Sequence, residues 1–370
     1  MKFIGSIFIC FIIVFHAYSQ ESRQNYFEAK YHYGTLIKHS PKIDPLVKGK
    51  IETIEFNYTI PTIGNHKWSQ IYRYPEFGLG YQLALWKNPD TLGTSHVLNT
   101  YIRIPLIKTK PFKFYYHIGT GPCIFTRKYD SLTNELNKAI GSYFNLYINV
   151  GLEASFQLHK NLRLNAGYGI NHYSIGNLDQ PNVGLNVIAS YVSASYSFDN
   201  QNTIFHEQEI ERKERGHEIW GYIGPGFKEI DVTLEPGKLL YDNKKYFTTT
   251  VSVNYAYQLN YKRKFGFGFE YFYDNSIEIR IIKEDKNEFE KGDNLRPGFN
   301  ISHELLFRDL SFMTQFGWYI YSKLERFGNK YYRAGFKYHF KNNVFVVLAL
   351  KVHPPAIADF TEWGIGYRFK

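Results

Sequence analysis

Val251-Ser252-Val253-Asn254-Tyr255-Ala256-Tyr257-Gln258-Leu259-Asn260-Tyr261 is the stretch that decides the fold. Its odd positions are all apolar or aromatic, and its even positions are all small or polar. A period of two marks a half-buried β-strand, because successive side chains point to opposite faces. Phe265-Gly266-Phe267-Gly268-Phe269-Glu270-Tyr271 repeats the pattern a few residues later. A soluble sandwich hides its large residues inside. A membrane barrel turns them toward lipid and keeps polar groups in the lumen. Alternation alone does not separate the two, but three other features favour the barrel. The chain opens like an exported one, 18% of its residues are aromatic, and it ends on the strand-like Gly366-Tyr367-Arg368-Phe369-Lys370. Aromatic girdles at both membrane interfaces account for 32 Tyr and 31 Phe in 370 residues.

The opening reads as a signal peptide over residues 1–19. Lys2 supplies the positive end, Phe3 to Phe15 the apolar run, and Ala17-Tyr18-Ser19 a small-x-small cleavage site before Gln20. Cys10 lies in that run without the small-residue context of a lipid-modified cysteine. Cys123 is then the single cysteine of the exported chain, so neither a disulfide nor a cysteine-based zinc site is expected. No later stretch approaches eighteen consecutive apolar residues, which excludes a spanning helix. Metal-spaced His/Cys clusters, a phosphate-cradling Gly-rich loop and a GxSxG elbow are all missing from the sequence. Gly119-Thr120-Gly121 reads as strand glycine, and no metal or cofactor is expected. The net charge of +10 suggests an anionic counterpart. An exported chain does not meet nucleic acid, so lipid headgroups or phosphorylated lipid A are the expected partner. A basic surface that is merely solvated is the alternative.

About sixteen strands can be counted, with long and short connections alternating as in outer-membrane barrels, where long external loops face short periplasmic turns. External loops are expected at 126–142 and 274–297. Two connections break the alternation: 62–75 and the charged stretch 199–216, which divides the strands eight and eight. The preferred reading is one closed antiparallel barrel of about sixteen strands. Residues 20–198 form its first half, 199–216 a long periplasmic turn, and 217–370 complete the same barrel. Two eight-stranded units joined through 199–216 are the alternative.

One constellation could carry chemistry. Asn171-His172-Tyr173-Ser174-Ile175-Gly176-Asn177 closes the seventh strand, and Gln180-Pro181-Asn182-Val183-Gly184-Leu185-Asn186 opens the eighth. By parity His172 and Ser174 share the apolar face of Leu162, Leu164, Ala166, Tyr168 and Ile170. Asn186 shares a face with Ile188, Val192, Ala194, Tyr196 and Phe198. All three should therefore lie together on the outer wall at the external end. Two residues apart on one strand face brings side chains within hydrogen-bond reach, as a nucleophile and its base require. Ordinary girdle residues would look the same from spacing alone.

Several segments between Lys30 and Phe198 resemble the lipid A 3-O-deacylase (PagL) family, also called acyloxyacyl hydrolases. The chain is most similar to the longer form seen in Bacteroidetes-type sequences. They are Tyr31-His32-Tyr33-Gly34, Tyr72-Arg73-Tyr74-Pro75-Glu76, Gly119-Thr120-Gly121, Gly151-Leu152-Glu153 and His172-Tyr173-Ser174 with Pro181-Asn182. His353, Ala358-Asp359 and Gly364 to Phe369 extend the resemblance to the chain's end. It implies an outer-membrane barrel with a lipid-facing serine-esterase site acting on lipid A or lipopolysaccharide. Ser174 would be the nucleophile and His172 the general base. Asn182 and backbone N–H groups near Gly176 and Asn177 would form the oxyanion hole. The chain departs from the family pattern at Ile175, where Asn is common and for which Asn177 could compensate. It departs again at Asn186, where an acid would orient the histidine. Asp179, in the connecting loop, is the candidate acid, since parity sends Glu153 into the lumen. The competing readings are a non-catalytic barrel of the same ancestry and a pore, the latter suggested by lumen charges such as Arg103, Arg163, Arg333 and Lys337.

Overall fold

A computed structural model gives the fold. It describes residues 23–199, 202–210, 215–235, 238–241, 244–285, 288–324, 328–354 and 357–369. The leader through Ser19, with Cys10, lies outside these residues, as do parts of the 199–216 connection.

The first unit comprises β1 (Tyr26–Leu36), β2 (Lys50–Pro61), β3 (Glu76–Leu85), β4 (Thr94–Lys108), β5 (Phe112–Phe125), β6 (Phe144–His159), β7 (Leu162–Ser174) and β8 (Leu185–Tyr196). After the connection come β9 (Gly216–Lys228), a small hairpin of β10 (Asp231–Glu235) and β11 (Lys238–Tyr241), and β12 (Tyr246–Gln258). The second unit continues through β13 (Arg263–Asp274), β14 (Leu295–Phe307), β15 (Leu310–Tyr319), β16 (Lys330–His339), β17 (Val344–His353) and β18 (Ile357–Phe369). Each of the sixteen anticipated strands is present. The hairpin lies in the connection between β9 and β12, and a short helix, Lys67–Ile71, occupies the irregular 62–75 connection.

The strands close into two barrels, not one. β1 pairs with β8 from Phe27↔Tyr196 to Leu36↔Val187. β9 pairs with both β12 and β18. Each closed barrel thus holds eight antiparallel strands. This is the alternative of two eight-stranded units; it corrects the preferred single sixteen-strand barrel, and with it the wide lumen that a pore would need. The physical reason lies in the interior. An eight-stranded barrel is just wide enough for side chains to fill, whereas sixteen strands leave an aqueous channel. The inward charges are matched for the narrow case. In the first barrel Glu153 meets Lys30 at 3.3 Å and Arg103 at 3.1 Å, and Glu76 meets Arg163 at 2.9 Å. In the second, Arg333 bridges Glu270 and Glu362, Lys337 meets Glu304 at 2.8 Å, and Asp359 meets Lys228 at 2.6 Å and His353 at 3.0 Å. Desolvated ions persist only when partnered in this way.

The stretch that opened the sequence reading explains the outer wall. Val251, Val253 and Tyr255 lie opposite Tyr271, Phe269 and Phe267, and most of these apolar side chains project outward. Between them Ser252 faces Glu270, with a 2.9 Å hydrogen bond inside the lumen. Apolar-out and polar-in is the reverse of a soluble barrel and suits a hydrocarbon surround.

The barrels touch at both ends. On the short-turn side Tyr72 stacks on Phe307, ring centres 4.7 Å apart, and its hydroxyl donates to Leu306 O at 3.1 Å. On the long-loop side the β7–β8 loop rests against β9 and β18, and Lys42 meets Asp231 at 3.5 Å.

Candidate active site

β7 and β8 bring the candidate residues together. His172 is directly opposite Asn186 in the ladder, and Ser174 lies one outward position further along β7. All three face outward and are half-buried. The same wall continues through the exposed Ile170 and Tyr168.

A hydrogen-bond chain orders the histidine. His172 Nδ1 lies 2.6 Å from Asn186 Oδ1, and Asn186 Nδ2 lies 3.2 Å from His39 Nδ1. His39 Nε2 is 3.3 Å from Val183 O. Ring protons are assigned from the network. His39 Nδ1 also lies 3.2 Å from Ile37 O, but the Asn186 amide nitrogen can only donate, so Nδ1 accepts from it and the His39 proton sits on Nε2, toward the Val183 carbonyl. That turns Asn186 Oδ1 toward His172, whose own proton then sits on Nδ1. The lone pair remains on His172 Nε2, as a general base requires.

The serine is held from the loop side. Ser174 Oγ accepts from Gly176 N–H at 2.9 Å and from Asn182 Nδ2 at 2.8 Å. Asn182 Nδ2 also donates to Gly176 O. Gly176 has φ +68° and Gly184 φ +76°, a region in which glycine is the favoured residue. At Gly184 a Cβ would sit 3.2 Å from His172 Cε1 and 3.3 Å from Ser174 Cβ, so a bare backbone is needed beside the pair. Among the described residues, His172 and Ser174 are not hydrogen-bonded to each other.

The remaining sequence candidates lie elsewhere in the loop. Asp179 pairs with Lys245 of the second barrel at 3.4 Å, not with His172. The Asn177 side chain donates to Ala358 O and, at 3.1 Å, to Asp359 O. It therefore faces the second barrel and not Ser174. Glu153 is buried in the lumen, as parity expects. Sequence reading gave no role to three residues. His39 comes from the β1–β2 loop, 147 positions from Asn186. Gln180 and Glu229 belong to a contact between the barrels. Burial lifts the Glu229 carboxyl above its ordinary range, opposed by the Gln180 N–H that it accepts. Among the described residues no group of three His, Cys, Asp or Glu side chains could hold a metal ion.

Two closed antiparallel barrels with apolar outer walls and filled polar lumens define a β-barrel of the membrane type. The family follows from the sequence comparisons. The lipid A 3-O-deacylase (PagL) model matches residues 52–195, and the acyloxyacyl hydrolase C-terminal domain model matches 217–370, one in each barrel. The chain belongs to this lipid A deacylase family. No curated protein matches it. Among solved structures it is similar to the outer membrane enzyme PagL, at 16% identity over 45% of this chain and 97% of that one, TM-score 0.31. Neisserial surface protein A aligns at 14% identity over 47% and 97%, TM-score 0.31. A Rh. blastica porin mutant aligns at 8% identity over 93% and 99%, TM-score 0.18.

Proposed function

We propose that the protein is an outer-membrane esterase that removes an ester-linked acyl chain from lipid A by serine chemistry. The observation that carries this reading is the pair of N–H donors closing on Ser174 Oγ beside a histidine whose Nδ1 is already engaged. A serine that served only the interfacial girdle has no need of either. Family membership supports the substrate class, and an apolar wall around the site suits a substrate embedded in a leaflet.

The chemistry follows from the positions. His172 Nε2 takes the proton as Ser174 Oγ attacks the ester carbonyl. Gly176 N–H and the Asn182 amide lie within 3 Å of Oγ, where they can pass to the developing oxyanion. The tetrahedral intermediate collapses as His172 gives its proton to the departing alkoxide oxygen of lipid A, and water, deprotonated by His172, then hydrolyses the acyl-serine to free the fatty acid and Ser174. Asn186 orients the imidazole but carries no charge to stabilise imidazolium. In a serine protease that change costs about 10⁴ in turnover, so a slow enzyme is expected. A non-catalytic barrel of the same ancestry has one observation in its favour: the His172–Ser174 hydrogen bond is unmade. Catalytic hydrogen bonds often tighten only around substrate.

The test is fatty-acid release from purified lipopolysaccharide by detergent-solubilised protein. The parent should release acyl chains, and His172→Asn should lose nearly all of that activity. Equal release by both proteins would exclude this mechanism.

A further inference from the structure

We propose that the second barrel holds the serine loop in its working shape, with Glu229 as the positioning residue. This rests on the esterase reading above and gives the second barrel a task within it.

The loop between β7 and β8 is held from two sides. Its far end belongs to the first barrel, where Val183 N–H donates to Lys138 O at 3.1 Å and Gly184 N–H to Ala139 O at 3.0 Å. Its near part, next to Ser174, leans on the second barrel. Glu229, just beyond β9, accepts the Gln180 N–H at 2.9 Å, and its own N–H donates to Asn177 O at 2.6 Å. One residue thus pins both ends of the 177–180 turn. The Asn177 amide reaches β18 at Ala358 O and Asp359 O. A Cβ on Gly176 would lie 3.6 Å from Thr361 Oγ1 and 3.8 Å from Leu350 Cδ1, so the backbone that presents the Gly176 N–H runs along the second barrel's wall.

Hydrogen bonds connect this anchorage to the serine. Gln180 Nε2 donates to Asn177 Oδ1 at 2.7 Å, and Gln180 Oε1 accepts the Asn182 N–H at 3.2 Å. Asn182 then donates to Ser174 Oγ. The path is Glu229, Gln180, Asn182, Ser174, and it begins on the other barrel. A short loop without a strand ladder has little stability of its own. Catalytic donors, however, must hold their places to a fraction of an ångström, since a 1 Å misplacement can cost on the order of 10²-fold in rate.

The experiment uses the full-length protein in detergent with purified lipopolysaccharide, measuring kcat and KM separately. Glu229→Ala removes the acceptor. Its kcat should fall on the order of 10- to 100-fold, with KM within about threefold, because no substrate contact is removed. Glu229→Gln keeps an acceptor oxygen and should restore parental turnover. Unchanged heat-dependent gel mobility verifies that both barrels are folded. If Glu229→Ala fails to insert, Asn177→Ala removes the amide that reaches β18 and also accepts from Gln180, keeps the backbone carbonyl that accepts the Glu229 N–H, and carries the same expectation. A parental kcat in the alanine variant, with Ser174→Ala inactive, overturns the positioning role and leaves the esterase standing. So does an equal loss in Glu229→Ala and Glu229→Gln. A Ser174→Ala protein as active as the parent overturns the esterase reading, and the positioning role with it.

Discussion

Arg333→Met tests whether the chain forms two narrow barrels or one wide one. The guanidinium is fully buried and bridges Glu270 and Glu362, each also without solvent exposure. Glu270 keeps hydrogen bonds from Ser252 and Tyr331, and Glu362 keeps those from Thr250 and Tyr222. None of these supplies a positive charge. Removing one partner of a buried ionic group costs roughly 3–5 kcal/mol, because the other charges stay desolvated. In a sixteen-strand barrel the same groups would line water, and their loss would cost less than about 1 kcal/mol. At about 2 kcal/mol per molar urea, the narrow case lowers the unfolding midpoint by about 2 M. The assay is urea titration in detergent micelles followed by a protease pulse that cuts exposed chain, reading which half survives. Residues 217–369 should be lost at the lower urea concentration while residues 23–198 keep the parental midpoint. An unchanged midpoint, or both halves shifting together, would refute the separation.

Three further outcomes follow from the site. Gly184→Ala puts a methyl group between His172 and Ser174 at a positive φ; acyl release should fall at least about tenfold if that wall moves even a fraction of an ångström, and parental kcat would contradict the placement. Asp179→Asn loses only its partly exposed pair with Lys245; kcat should stay within about threefold, whereas a drop on the order of 10³–10⁴ would assign Asp179 the orienting role. Hydrolysis by the purified protein should survive EDTA, judged on a substrate whose phosphates are not bridged by divalent ions; abolished turnover there would point to a metal.

The strands were legible because their burial mostly alternates with position, so the order of residues identifies the outward face along 251–257 and 265–271. Parity likewise placed His172, Ser174 and Asn186 on one patch, because the β7–β8 register follows from the apolar pattern. Closure was not legible. Whether β8 pairs with β1 or with β9 depends on partners nearly 170 and 20 positions away, and both strands offer the same alternation. The clue was present in Arg103, Arg163, Arg333 and Lys337, four large inward cations that a narrow lumen can partner and a wide one would leave wet. The loop contacts were hidden for a different reason. His39, Gln180 and Glu229 act through a few hydrogen bonds made from irregular segments, and no periodicity records such bonds.

Mass spectrometry of lipid A from cells making this protein, its Ser174→Ala variant or neither tests the esterase directly. The variant should still insert: the change removes the acceptor of the Gly176 N–H and one of the two acceptors of the Asn182 amide, a local loss of about 1–3 kcal/mol that leaves the strand pairing of both barrels intact. Cells with the parent protein should show lipid A lighter by one ester-linked acyl chain. Cells with Ser174→Ala should match cells without the protein. Lipid A shortened equally by the parent and the alanine variant would contradict catalysis at Ser174.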